Sequence, residues 1–118
     1  MSTSETLTRL REIGEHVESA AKSALKDGVD SIVTEAKSRC PVKSGKLRDS
    51  IHAKSFSNGA FYKIVADAKN ENGEQYGAIV EWSPKINRPF LHPALDANRE
   101  QITNNIKDAI RRAVNGGL

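Results

Sequence analysis

Between Leu7 and Ala36 the apolar residues fall at Leu7, Leu10, Ile13, Val17, Ala21, Ala24, Val29, Ile32, Val33 and Ala36. Steps of three and four residues place them along one stripe of a helix, while Arg11, Glu15, Glu18, Lys22 and Lys26 fill the opposite side. Pro41 ends the pattern, because a proline pushes the residue before it out of the α region. The spacing therefore predicts a long amphipathic helix over residues 5–39, capped by Ser2, Thr3 or Ser4. Gly14 and Gly28 each weaken it by about 1 kcal/mol. Gly28, in Lys26-Asp27-Gly28-Val29-Asp30, is the natural place for a kink, so one helix and two are both compatible with the pattern.

The periodicity then changes. Ser50–Phe56 and Ala60–Asp67 read as strands, and Asn58-Gly59 between them is a hairpin signal, since both residues tolerate positive φ. Lys69–Glu74 is a polar turn. Tyr76–Trp82 alternates, with Tyr76, Ala78, Val80 and Trp82 on one face, and predicts a third strand stopped by Ser83-Pro84. Pro93 suits the first turn of a helix, and Leu95, Ile102, Ile106, Ala109, Ile110 and Ala113 repeat at helical spacing until Asn115-Gly116-Gly117. The expectation is one α+β domain over 1–118 in two layers: a helix at 5–39, a basic loop at 40–49, a three-stranded antiparallel meander at 50–83, a loop at 84–92 and a helix at 93–114. All six aromatics (Phe56, Phe61, Tyr62, Tyr76, Trp82 and Phe90) lie in one stretch, which centres the expected core there.

Chemistry-bearing patterns are sparse. His16, His52 and His92 lack the paired spacing of a metal site, and no glycine-rich phosphate loop is present. Cys40 would need a neighbouring base to act as a nucleophile. His92 could meet Glu81 in space, although a surface or capping role suits it better. An enzyme, a cofactor and a metal are therefore not expected. No apolar run approaches the ~20 residues of a membrane span. The lone cysteine and the absence of a signal-peptide pattern fit a reducing cytoplasm. The net charge of +3 is concentrated: residues 41–57 hold Lys43, Lys46, Arg48 and Lys54 against Asp49 alone. Such a segment is either solvated or aimed at phosphates, and a small basic nucleic-acid-binding or regulatory protein is the alternative reading.

Two segments are more distinctive. One runs Ala36-Lys-Ser-Arg-Cys-Pro41-Val-Lys-Ser-Gly45-Lys-Leu47-Arg48-Asp-Ser50-Ile51. The other is Tyr76-Gly-Ala-Ile-Val80-Glu81-Trp82, followed by Arg88-Pro89-Phe90-Leu91-His92-Pro93-Ala94-Leu95. Their order and intervals resemble the tail-completion, or neck, family of long-tailed bacteriophages, whose members read A-P-x-x-T-G-x-L-R-x-S-I, then Y-A-x-x-V-E-x-G-T, then P-x-P-F-L-x-P-A-L. Pro41, Gly45, Leu47, Arg48, Ser50 and Ile51 match the first block. Tyr76, Val80 and Glu81 match the second, and Pro89, Phe90, Leu91, Pro93, Ala94 and Leu95 the third. Cys40 stands where alanine is common, Ser44 where threonine is, Gly77 where alanine is, and Ser83-Pro84 where Gly-Thr is. The resemblance implies a non-enzymatic virion protein of the neck or tail, made in the host cytoplasm and assembling as a homo-oligomeric ring beside head-closure and tail-terminator proteins. It also gives the cations Lys43, Lys46, Arg48 and Lys54 a purpose, as interface residues or contacts to DNA passing through the lumen.

Overall fold

A computed structural model describes residues 2–41, 45–69, 77, 81 and 89–117. Helix α1 runs unbroken over Thr3–Arg39. It starts at a capping box: the Ser2 hydroxyl accepts from the Glu5 N–H at 3.2 Å, and the Glu5 carboxylate accepts from the Ser2 N–H at 3.1 Å. Cys40, in extended conformation before Pro41, closes the other end, with its N–H donating to the Ala36 carbonyl.

Gly28 is no kink. It is buried, and a Cβ there would lie 2.7–3.0 Å from the side chain of Ile102, so the missing side chain lets the second long helix cross closely. That helix, α3, spans Leu91–Gly117, starting two residues before the expected Pro93. It packs antiparallel to α1: Ala36 shares a core with Ala94, Gly28 meets Ile102, and Ala20 and Ala24 share a crevice with Ala109 and Ala113. Fifteen residues on from Ile102 is Gly117, and fifteen back from Gly28 is Ile13. The first two to three turns of α1 therefore extend past the end of α3. The stripe continues onto this overhang uncovered, with Leu7 58% and Leu10 60% exposed. The molecule measures 66 × 26 × 19 Å, a rod drawn out by its helices.

The basic segment is not all loop. Gly45 takes φ +81° and starts a single helical turn, α2, at Lys46–Asp49, which carries Leu47 into the core. Strand β1 (Ile51–Phe56) pairs antiparallel with β2 (Phe61–Ala66) in the register Ile51↔Ala66 through Phe56↔Phe61. The turn between them is a short 3-10 segment, Ser57–Gly59, with positive φ at all three residues. The sheet is two-stranded among the described residues. The expected third strand over 76–82 is corrected at its two described positions, since Gly77 and Glu81 are both helical. Spaced four apart, they satisfy a helical period as readily as an alternating one.

The core joins the C-terminal half of α1 to α2, β1 and the start of α3 through Ile32, Ala36, Cys40, Leu47, Ile51, Ala68, Phe90 and Ala94. Phe90 and Ala94 are fully buried and Ile51 is 1% exposed. Leu91 is half-buried, whereas Leu95 is 40% exposed.

Candidate functional site

The segments singled out in the sequence converge on one point, the N-terminus of α3. A helix leaves its first N–H groups without intrahelical partners, and here a remote side chain supplies them. The Glu81 carboxylate accepts from the N–H of Phe90 at 2.7 Å, of Leu91 at 2.9 Å and of His92 at 2.8 Å. The His92 ring Nδ1 stands 2.5 Å from the same carboxylate. An ionised carboxylate only accepts, so Nδ1 carries the proton. Among the described residues Glu81 is the buried charged one, with 3% of its side chain exposed. Burial alone would push its carboxyl up. The backbone N–H groups of His92, Leu91 and Phe90, together with the His92 ring, outweigh that and hold it below its ordinary value.

Several of the other matched residues build the same junction. Leu47 and Ile51 are buried in its core, and the Ser50 hydroxyl donates to the Leu47 carbonyl at 2.7 Å. Pro41, Pro89 and Pro93 are half-buried. Gly77 is buried so tightly that a Cβ would come within 2.8 Å of the Ala66 carbonyl oxygen. Alanine, common at this place in the resembling family, would not fit this packing. Tyr76 lies outside the described residues.

The described cations each make a different contact. Lys43 lies outside the described residues. Lys46 donates its ammonium to the Lys69 carbonyl, tying α2 to the end of the hairpin. Arg48 pairs with Asp49 at 3.3 Å. Lys54 is exposed on β1, directly opposite Lys63 of β2. Sequence reasoning passed over Lys63, which only the strand register brings beside Lys54. It also passed over the capping role of Glu81, and it set the meeting of Glu81 and His92 below a surface or capping role for His92, whereas the two are in contact. Cys40 is buried in the core with its sulfur 3.6 Å from the Pro41 carbonyl. Among the described residues no group of three His, Cys, Asp or Glu could hold a metal ion. No helix among them is long and apolar enough to cross a membrane.

A buried carboxylate spent on a helix terminus, in a junction built from packed and hydrogen-bonded residues, is architecture. It holds elements together and leaves the outer faces for contact. The class so defined is a structural component, and the family comparison agrees. The model of the family described as "Bacteriophage HK97-gp10, putative tail-component" matches residues 4–82. The chain belongs to this HK97-gp10-like family of bacteriophage tail components. No curated protein and no solved structure matches it. The match runs from α1 through the hairpin to Glu81 and includes the first two of the three blocks that carried the resemblance.

Proposed function

We propose that this tail component works at the top of the tail or the head–tail junction, as a homo-oligomeric ring that completes the tail and joins it to the head. The observation that carries the reading is the uncovered stripe of α1. Leu7 and Leu10 continue the seam that α3 covers farther along, then project past its end with more than half of each exposed. Exposed apolar surface continuous with a packed seam is the usual mark of a surface that another chain covers. The junction around Glu81 supports the same reading, because it makes a rigid base from which the overhang can be presented. Family membership favours a non-enzymatic role and a place in the virion.

The ring's neighbours on this reading are the head-closure and tail-terminator proteins. Lys43, Lys46, Arg48 and Lys54 face either the docked ring or DNA in the lumen. Lys46 and Arg48 already have partners within the chain, so their contribution would be non-specific charge rather than directed recognition. The experiment is a deletion with complementation. Cells producing phage without this chain should accumulate filled heads and separate tails, and purified protein added to the lysate should restore infectious particles. Normal yields of joined particles without the chain would overturn the proposal. Replacing Lys43, Lys46 and Arg48 together by Ser should leave the melting temperature nearly unchanged and reduce joining. Full joining by that variant would free the cations of any role in it.

A further inference from the structure

An apolar groove of about 660 Å³ lies between α1, β2 and α3, away from the overhang. Its floor is formed by Leu25, Val29, Ile64, Leu95 and Ile102. Lys63 and Arg99 stand on its rim, and no Asp or Glu is among its described lining residues. Lys63 also sits directly opposite Lys54 across the hairpin. Like charges so placed destabilise a strand pair, and two strands have little pairing energy to spare. An anion brought to this edge would relieve that repulsion. Arg99 pairs with Asp96 at 3.3 Å, an exposed contact worth little, so its guanidinium can turn to another carboxylate at small cost.

We infer that this groove receives an acidic amphipathic helix from a different protein, with aliphatic side chains on the floor and carboxylates against Lys63 and Arg99. The floor selects the class of partner: leucine-sized side chains fill it, whereas phosphates would gain nothing from it. The rim selects the sign. It also disfavours a second copy's overhang as occupant, because residues 3–13 carry Arg9 and Arg11 against Glu5 and Glu12 and so bring no net negative charge to the rim. The inference stands apart from the ring reading, which concerns the overhang. Head–tail joining and groove occupancy can therefore fail separately.

The test is fluorescence anisotropy of the full chain with three labelled probes. They are a synthetic amphipathic helix of about five turns with a leucine stripe and glutamate flanks, its twin with lysine flanks, and a short DNA duplex. The acidic helix should bind and weaken with added salt, the lysine twin should bind at least about tenfold more weakly, and the duplex should not displace the acidic helix. The double variant K63E and R99E, both at exposed positions, should weaken the acidic helix about tenfold or more. L95S, also at an exposed position, should weaken both helices alike. Equal binding of the two peptides, no binding of either, displacement by duplex DNA, or binding lost only as the chain self-associates would each overturn the assignment.

Discussion

A carboxylate with 3% of its side chain exposed, meeting three backbone N–H groups at 2.7–2.9 Å, fixes where one helix begins and which segment it touches. Replacing Glu81 with Ala would leave those donors without a partner in a buried place, a loss of about 1–3 kcal/mol that a thermal melt would show. The pH dependence follows from the sign of the shift. The carboxyl is held below its ordinary value in the folded state, so its stabilisation is complete above about pH 5 and is lost as the pH falls through the folded value. Melts from pH 6 down to pH 3 should fall steeply for the parent chain and more gently for Glu81→Gln; parallel curves would remove Glu81 from the acid response. Gly77→Ala sets two effects against each other. Helix propensity favours alanine by about 1 kcal/mol, but the added carbon meets a backbone oxygen that cannot rotate away, so the variant should melt lower. Phe90→Ala should cost about 3–5 kcal/mol, because Phe90 has no exposed surface and belongs to the core cluster that joins α1, α2, β1 and α3. Phe90 was legible in the sequence, held between Pro89 and Pro93 ahead of a helix. The cap was not, because Glu81 acts on residues nine to eleven positions away and no periodicity reports a contact of that kind.

At the scale of elements, the sequence revealed what repeats. The long stripe became α1, the Asn58-Gly59 pair marked a hairpin, and the terminal repeat became α3. What failed was short. Helix α2 is one turn of four residues, fewer than any helical period needs to become visible. The alternation over Tyr76–Trp82 covers seven residues, too few to separate period two from a helix, and its two described positions, Gly77 and Glu81, are helical. Gly28 was legible as special and misread in kind, because a glycine for close approach and a glycine for bending leave the same mark on a sequence. Gly28→Ala must displace Ile102 and should destabilise by about 1–3 kcal/mol, whereas Gly14→Ala, with nothing near its Cβ, should stabilise by a few tenths to about 1 kcal/mol. Equal melting temperatures for the two variants would contradict the crossing at Gly28.

For the whole molecule, the described residues form a rod whose core lies toward one end while the N-terminal turns of α1 stand free at the other. Leu7 and Leu10 add little to the fold as they stand, so L7D with L10D should change stability by no more than about 0.5 kcal/mol. The proposed ring depends on them. The most direct measurement is electron microscopy of purified tails lacking this chain, after addition of the purified protein and of the L7D/L10D variant. The account predicts a new ring at one end of each tail with the parent protein and bare tail ends with the variant. Protein that decorates tails along their length, or binds neither end, would contradict it.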